Sequence, residues 1–389
     1  MARYTSALKR PPVQELPSGP AGEYVDDATE LLGVAVEFER RRGRGAQSNA
    51  VGRYEPQARI AFDDGWRSLD ELPPFKTTVQ TDATRKIITR NDSPDIGFDR
   101  SINPYRGCEH GCVYCFARPT HAYLGMSPGL DFESKLFVKP EAAELLEKEL
   151  ASPSYSPKVI AIGTNTDPYQ PIERKYQVMR RILEVLDCAG HPVGIVTKSA
   201  LVLRDLDILA RMAERNLAKV ALSVTTLDAD LARRMEPRAA TPMRRLETLR
   251  RLSQAGVPTT VMVAPVIPAL NDSEIERILD AAQAAGVKEA GYVLLRLPLE
   301  VRDLFREWLT ANYPDRANHV FKLIRDMRGG KDYDSEWGKR MKGTGPYAWM
   351  IGRRFEMACE KLGLNTAKRQ LTTEHFRHPK PDDAQMSLF

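Results

Sequence analysis

Short runs of apolar residues alternate with longer amphipathic stretches from residue 98 to residue 311 of this chain. Gly, Pro and polar residues bound the short runs, which is typical of buried strands, whereas the longer stretches repeat apolar residues at helical spacing. The pattern predicts strands at 101–105, 158–163, 192–197, 219–225, 259–264 and 290–296. It predicts helices at 140–150, 173–188, 203–215, 242–255, 273–285 and 300–311.

This alternation favours an α/β fold. Because no hairpin signal separates the strands, we expect a parallel sheet covered by helices. Thr241 and Pro242 are typical of an N-cap and a first helical turn, and three helices end at the stop residues Gly190, Gly256 and Gly286. In such folds the loops that follow the strands gather at one edge, where we expect a functional site.

Residues 98–312 contain the alternating strands and helices, and the regions before and after them differ in composition. We expect a mobile arm over 1–50, which is rich in Pro, Arg and Gly, and an extension over 51–97 that packs on the sheet. A helical, basic region over 313–370 and a flexible tail over 371–389 follow. The basic region should contain a short helix at 322–328 and a later helix with one apolar face, formed by Tyr347, Ile351, Phe355, Ala358 and Leu362.

The composition predicts a folded cytoplasmic protein. The chain has 389 residues, of which 42% are hydrophobic, enough for one large core with extensions or for two domains. No apolar run approaches the roughly 20 residues that span a bilayer, and no secretory signal is evident. Residues 318–369 hold 12 Lys and Arg against 6 Asp and Glu, although the whole chain carries only +5. This region favours a polyanion as partner, with a solvated basic surface as the alternative.

The most specific motif is a group of three cysteines, Cys108, Cys112 and Cys115, in one loop after the first predicted strand. Three thiolates can hold three irons of a [4Fe–4S] cluster and leave the fourth iron open to a small molecule, whereas electron-transfer clusters use four cysteines. A zinc site that adds His110 is an alternative, although structural zinc sites usually combine two separated ligand pairs. A disulfide is disfavoured because intracellular thiols stay reduced.

The cysteine loop, with Tyr114 before its third cysteine, resembles that of the radical S-adenosylmethionine (SAM) superfamily. Two further segments, TNTDPYQPIE at 164–173 and MEPRAATPMRRLETLRRL at 235–252, are similar to its spore photoproduct lyase-like branch. With RGRGAQSNAVGRYE at 42–55 and MKGTGPYAWMIGRRFE at 341–356, the chain resembles bacterial radical SAM proteins labelled "DNA repair photolyase". The resemblance covers about 53–350.

The resemblance implies a partial (β/α)6 barrel with N-terminal and C-terminal extensions and a cluster loop at 106–118. It implies two cofactors, a [4Fe–4S] cluster on the three cysteines and SAM, together with a reductant such as flavodoxin or ferredoxin. SAM would be cleaved reductively to a 5′-deoxyadenosyl radical in a lyase-like reaction. The residues that would contact SAM are Tyr114, Thr164, Asn165, Asp167, Lys198, Ser223, Thr225 and Arg238, the last through the methionine carboxylate.

The chain departs from the family pattern in two places. The segment after the second strand lacks Gly-Gly-Glu, and no cysteine lies between Cys115 and Cys188 to donate hydrogen as in spore photoproduct lyase. Tyr123 and Tyr169 are the candidates for that catalytic role. We expect Cys188 and Cys359 to pack in the core.

The last five residues, QMSLF, resemble the short peptide that docks in the bacterial sliding clamp, with Gln385, Leu388 and Phe389 as contacts. Leu and Phe side chains fill apolar pockets while Gln makes a polar anchor; folding back onto the protein's own surface is the alternative. The tail and the basic region favour DNA as substrate. Two other hypotheses stay open: a radical SAM enzyme that modifies RNA, a peptide or a metabolite, and a non-catalytic metal-cluster protein that binds nucleic acid.

Overall fold

A computed structural model of the protein describes residues 36–55, 74–367 and 369–379. Its strands are β1 (Thr78–Thr81), β2 (Ile88–Arg90), β3 (Arg100–Ile102), β4 (Tyr105–Arg106), β5 (Lys135–Val138), β6 (Ile160–Ile162), β7 (Val193–Thr197), β8 (Ala218–Ser223), β9 (Thr259–Val266) and β10 (Glu289–Leu294). Its helices are α1 (Leu130–Ser134), α2 (Ala142–Leu150), α3 (Glu173–Tyr176), α4 (Val178–Cys188), α5 (Leu206–Glu214), α6 (Ala229–Met235), α7 (Pro242–Gln254), α8 (Ile275–Ala284), α9 (Val301–Asn312), α10 (Pro314–Asp326) and α11 (Gly345–Lys361). Among these helices none has the length and apolar composition needed to cross a membrane.

Seven strands form one sheet in the order β10-β9-β8-β7-β6-β3-β2. The six strands from β10 to β3 are parallel to one another, whereas β2 pairs antiparallel with β3 at one edge. Each parallel pair is joined through at least one helix, because parallel strands need a long crossover connection. The sheet keeps two separate edges, β2 and β10, so the barrel is partial. The predicted fold class, a partial barrel of six β/α units with extensions, is confirmed.

Local signals set several helix boundaries as expected. Helix α7 begins at Pro242, and the hydroxyl of the N-cap residue Thr241 accepts the Arg244 backbone N–H at 3.4 Å. Glycine adopts left-handed backbone without strain. The residues with φ of 60°, 77° and 90° that follow α4, α7 and α8 are the predicted stops Gly190, Gly256 and Gly286.

The basic region forms two helices where a short and a long helix were predicted. The short one, predicted at 322–328, is the second half of the longer α10. The apolar face of the long one is confirmed in α11, which buries Ile351, Phe355 and Ala358. Cys359 is buried there as expected, but Cys188 is exposed, contrary to expectation. Residues two positions apart on a helix do not share a face, so Cys188 points away from the buried Leu186 of α4.

The first predicted strand, 101–105, is divided between two sheets. Its first half belongs to β3, and its end forms β4 in a three-stranded sheet of order β1-β5-β4. Pro104 lies between them and has no N–H for the ladder, while its carbonyl accepts the Lys139 N–H at 3.1 Å. The short strands β1 and β2 escaped prediction because they are mostly exposed and have no apolar pattern.

The end of the predicted mobile arm is packed against the rest of the chain. Ala46 is fully buried, and the backbone N–H groups of Gly45 and Ala46 both donate to the Glu133 carboxylate at 2.9 Å. A Cβ atom on Gly45 would overlap the Gly111 carbonyl oxygen, so only glycine fits there. This end of the arm therefore forms a wall of the cysteine loop. The remainder of the arm, 1–35, and residues 56–73 of the extension lie outside the described residues.

Glu133 and Arg118 form a fully buried ion pair beside that wall. Arg118 Nε donates to the Cys112 carbonyl at 2.9 Å, and its Nη1 donates to the Pro128 and Gly129 carbonyls at 3.0 and 2.9 Å. A buried ion pair is tolerated only when further hydrogen bonds satisfy its remaining polar atoms, as they do here. The pair connects the arm and α1 to the cysteine loop.

We predict that Glu133→Ala strongly destabilises the protein, because it leaves the Arg118 guanidinium buried without a carboxylate, a loss of about 3–5 kcal/mol. Urea denaturation followed by circular dichroism measures the free energy of unfolding. Glu356→Ala is the matched control, since Glu356 pairs with Arg353 in an exposed position on α11 and should contribute little. Equal losses in the two variants would contradict the prediction.

Candidate active site

The cysteine loop, residues 106–118, lies at the carboxyl ends of the parallel strands. The Glu109 N–H donates to the side chain of Gln170, which follows β6, at 2.9 Å. The Val113 N–H donates at 3.1 Å to the carbonyl of Met235, which lies beyond β8. The loop reverses direction at two glycines with φ of 71° and 67°, Gly107 and Gly111. Contacts from two different βα connections therefore hold the loop at the mouth of the barrel.

The three cysteines of this loop are free thiols. Cys108 and Cys112 are 6% and 8% exposed, and Cys115 is half-buried. Burial raises the pKa of each thiol, and at Cys108 the other two thiols add to this effect. The Lys198 ammonium acts in the opposite direction at Cys112 and Cys115. Buried, adjacent sulfurs beside a cation fit an iron–sulfur cluster, which binds cysteine as thiolate.

The zinc alternative fits this loop less well. Among the residues that the structure describes, no group of three or more His, Cys, Asp or Glu side chains is close enough to hold one metal ion. Zinc needs all its sulfurs about 2.3 Å from a single point. In a [4Fe–4S] cluster each cysteine binds a different iron, so the sulfurs lie further apart. His110, the fourth ligand of the zinc hypothesis, faces Asp167 instead, with 3.3 Å between Nδ1 and Oδ2.

Asp167, predicted to contact SAM, accepts several hydrogen bonds from groups of the protein. Its Oδ1 accepts the Thr197 hydroxyl at 2.7 Å and the Tyr169 N–H at 2.9 Å, and its Oδ2 accepts the Lys198 N–H at 2.7 Å. Burial alone would raise the pKa of this carboxyl, but His110 and these hydrogen bonds lower it to about 2. With His110 beside Oδ2, protein groups already engage this carboxylate, and its contact with SAM stays a prediction.

Thr164 and Asn165 precede Asp167 at the same edge of the sheet. Asn103 positions them, because its Oδ1 accepts the Asn165 N–H at 3.0 Å and its Nδ2 donates to the Thr164 hydroxyl at 3.4 Å. The Asn165 side chain is exposed. The segment therefore presents polar side chains at the barrel mouth, and its contact with SAM stays a prediction.

Glu236 organises the β8 side of the site. Its carboxylate accepts hydrogen bonds from the hydroxyls of Tyr114 and Thr225, the latter at 2.7 Å, and it pairs with Arg245. Arg245 also donates to the Ser223 carbonyl at 3.0 Å. The hydroxyls of Tyr114 and Thr225 are therefore held by protein, and SAM contacts through them would compete with Glu236. A Glu-Pro-Arg segment is equally typical of exposed ion pairs, which is why the sequence did not reveal this role.

Two cations that we predicted to contact SAM differ in their partners. Arg238 Nη2 lies 3.1 Å from Glu109 Oε1, so its guanidinium pairs with the cysteine loop, and its contact with the SAM carboxylate stays a prediction. Lys198 lies at the end of β7 with Nζ 5.7 Å from the centroid of the Tyr114 ring. It forms no ion pair within the described residues. Burial lowers its pKa, and the Cys112 thiol opposes that effect.

The two tyrosines predicted as hydrogen relays are engaged elsewhere. Tyr169 is fully buried, and its hydroxyl donates to Asp205 Oδ2 at 3.1 Å. Burial and the Asp205 carboxylate raise its pKa well above the usual range. Tyr123 is 68% exposed and stacks on Tyr54, with 5.4 Å between ring centroids. No contact of either hydroxyl supports the relay role.

Sequence analysis did not find Arg296, which lies two residues after β10. Its guanidinium carbon lies 4.6 Å from the centroid of the ring of Phe116, the residue after Cys115. Nη2 is 3.5 Å from the Tyr333 hydroxyl and Nη1 is 3.8 Å from the Met341 sulfur, while Nε is buried without a hydrogen-bond partner. No spacing rule relates residues 116 and 296, which only the tertiary fold brings together.

Comparisons with known proteins agree with this site. A family model described as the radical SAM superfamily matches residues 102–282, which contain the cysteine loop and β6 to β9. An uncharacterized protein of Mycobacterium tuberculosis is 36% identical over 293 residues, 75% of this chain and 80% of that protein. An uncharacterized protein of Methanocaldococcus jannaschii is 27% identical over 236 residues, 60% of this chain and 83% of that protein.

A solved structure shares the fold. Spore photoproduct lyase complexed with dinucleoside spore photoproduct is similar with a TM-score of 0.53 and 15% identity, over 74% of this chain and 80% of that chain. The cysteine loop at the mouth of a six-stranded partial barrel, the family match and this likeness of fold agree with one another. The chain belongs to the radical SAM superfamily and is a radical SAM enzyme.

Proposed function

We propose that the protein cleaves SAM reductively at a [4Fe–4S] cluster and acts on DNA in a repair-type reaction. The observation that carries the proposal is the loop of three adjacent free cysteines at the carboxyl ends of the parallel strands. When bound, the cluster supplies one electron to the SAM sulfonium, and the C5′–S bond breaks to give a 5′-deoxyadenosyl radical. Radical SAM enzymes need a reductant, which here would be a flavodoxin or a ferredoxin.

Cys108, Cys112 and Cys115 would each hold one iron. The other two cysteines of the chain do not supply a fourth ligand, since Cys188 is exposed at the end of α4 and Cys359 is buried in α11. The cluster would then keep one iron without a protein ligand, and SAM would bind there through its amino and carboxylate groups. A cluster held by three cysteines therefore suits substrate chemistry better than electron transfer.

Lys198 is the better candidate for the SAM carboxylate. To bind the SAM carboxylate, Arg238 would have to break its ion pair with Glu109, which lies 3.1 Å away. The Lys198 ammonium forms no ion pair with any described residue and would have none to break. A desolvated cation gains most from an anion that enters the site. Thr164 and Asn165 are suited to accept hydrogen bonds from the amino group of SAM, and Ser223 and Thr225 from its ribose hydroxyls.

Two observations support DNA as substrate. The spore photoproduct lyase of similar fold was solved with a dinucleoside spore photoproduct, and one variant of it with SAM as well. Residues 318–369 carry six more basic than acidic side chains, 12 against 6, which suits a polyanion. RNA, peptides and metabolites are the competing substrates.

Anaerobic reconstitution with iron and sulfide, followed by dithionite and SAM, tests the proposal. We expect slow release of 5′-deoxyadenosine from the protein alone and faster release with ultraviolet-damaged DNA. Undamaged DNA, RNA and peptide pools of the same concentration are the comparison arms. Stimulation by RNA or peptides without stimulation by any DNA would reject DNA as the substrate and leave the radical chemistry in place.

The first of three predictions from this proposal concerns the cluster ligands. Cys112→Ala should abolish iron binding and the visible absorption of the reconstituted protein, because the remaining two thiolates cannot hold a cubane. Cys188→Ala is the matched control, since it removes an exposed cysteine outside the loop and should retain the full iron content. Stoichiometric zinc without iron in protein purified under anaerobic conditions would contradict the cluster.

The second prediction concerns SAM affinity. Lys198→Met should weaken SAM binding by about 1.5–3 kcal/mol, the usual value of a hydrogen bond to a charged group. Isothermal titration of the reconstituted protein measures it. Arg238→Ala should have a smaller effect, because its guanidinium already pairs with Glu109. A larger loss in Arg238→Ala than in Lys198→Met would restore Arg238 as the carboxylate ligand.

The third prediction concerns the tail, where Gln385, Leu388 and Phe389 lie outside the described residues. A peptide of residues 384–389 should bind the bacterial sliding clamp with micromolar affinity, about −8 kcal/mol. Replacing Leu388 and Phe389 together with Ala should abolish binding, because both apolar anchors are lost. Met386→Ala is the matched control and should retain it. If the full-length protein does not bind the clamp, the tail no longer supports DNA as the substrate.

A further inference from the structure

Guanidinium groups and aromatic rings alternate on the surface beside the end of β10. We call this the rim surface and define it by Phe116, Arg296, Tyr333, Arg53 and Tyr123. Arg296 lies over Phe116 at 4.6 Å, and its Nη2 is 3.5 Å from the Tyr333 hydroxyl. Tyr333 and Arg53 line one cleft, and Arg53 lies 5.6 Å from the centroid of the Tyr123 ring. The five side chains are therefore continuous.

The aromatic rings at the two ends of the rim surface are open to a ligand. Phe116 is 41% exposed and Tyr123 is 68% exposed. Their positions are set by neighbouring groups, since Phe116 follows Cys115 in the cysteine loop and Tyr123 stacks on Tyr54. A rigid, exposed ring beside a guanidinium group is a platform for another flat ring.

The charges of the rim surface suit an anion. Arg53 pairs with Glu300 at 2.6 Å, but Arg296 forms no ion pair with any described residue, and its Nε is buried without a partner. Lys331 is exposed on the same cleft and also lacks an ion pair within the described residues. The acidic side chains of the cleft are all paired with arginines, namely Glu300 with Arg53, Asp303 with Arg302, and Asp332 with Arg306 and Arg325. Two cations are left without an anion.

We infer that the rim surface binds an unpaired polynucleotide strand, with a phosphate on Arg296 and bases on the rings of Phe116 and Tyr123. Ring faces can accept bases only where these are unstacked, which holds for single strands and extruded nucleotides and not for an intact duplex. The inference rests on the proposed function and deepens it, because it states which form of nucleic acid lies beside the cysteine loop.

Fluorescence anisotropy of the reconstituted full-length protein tests the inference. The probes are one labelled oligonucleotide as single-stranded DNA, the same sequence as duplex DNA, and the same sequence as single-stranded RNA. We expect the single strands to bind more tightly than the duplex. Arg296→Gln should weaken single-strand binding about tenfold, or about 1.4 kcal/mol. It should also lower the dependence of log affinity on log salt by about 0.7, the share of one phosphate contact.

The aromatic platform has its own variants. Phe116→Ala and Tyr123→Ala should each weaken single-strand binding, whereas Tyr123→Phe keeps the ring and should bind as wild type does. Arg353→Gln is the charge control, because Arg353 is an exposed arginine on α11 outside the rim surface. Tyr123→Phe also separates ring stacking from the hydroxyl, since weaker single-strand binding in that variant would show that the hydroxyl and not the ring makes the contact, and would overturn the platform.

The remaining outcomes separate this inference from the proposed function. Tight DNA binding that is unchanged in Arg296→Gln and Phe116→Ala overturns the rim surface and leaves DNA as substrate. Preference for duplex over single strands overturns it as well. Tight binding of RNA but not DNA, lost in the same variants, supports the rim surface and rejects DNA. A loss of SAM affinity in Arg296→Gln with unchanged nucleic-acid binding assigns Arg296 to SAM and overturns the inference.

Discussion

The buried ion pair of Glu133 and Arg118 is the constraint on which the cysteine loop depends. Glu133 accepts backbone N–H groups from the arm, and Arg118 donates to the carbonyl of Cys112 inside the loop. A buried charge is stable only when all its partners are present. The ion pair therefore connects the arm, α1 and the cysteine loop to one another.

Charges around the mouth fall into two groups, and the division has a functional meaning. Arg118, Arg238 and Arg245 are each neutralised by a carboxylate of the protein, and they hold the loop and the strands in place. Lys198 and Arg296 have no such partner within the described residues. Lys198 lies near the cysteine thiols, and Arg296 lies over the ring of Phe116, the residue that follows Cys115. Unpaired cations in a partly buried site are suited to anions that arrive from outside, which agrees with the carboxylate and the phosphate proposed for them.

The order of strands and helices could be predicted because burial leaves a periodic pattern. The six parallel strands are apolar and overlap their predicted ranges. The helix stops at Gly190, Gly256 and Gly286 follow from the left-handed backbone that glycine allows. The three-stranded sheet could not be predicted in the same way, because β1 is largely exposed and its pairing with β5 is a contact between distant segments. Likewise the packing of Gly45 depends on Gly111, not on its neighbours in sequence.

The sequence by itself determined where the candidate metal centre lies, since its three cysteines share one loop whatever surrounds them. Only the tertiary structure decided which polar residues are free for ligands. Asp167 and Arg238 have the residue types expected of SAM contacts, yet the first already accepts hydrogen bonds from the protein and the second is paired with Glu109. A side chain's availability depends on partners far away in sequence, such as Tyr114 and Glu236, which are 122 residues apart. No local pattern encodes such distances.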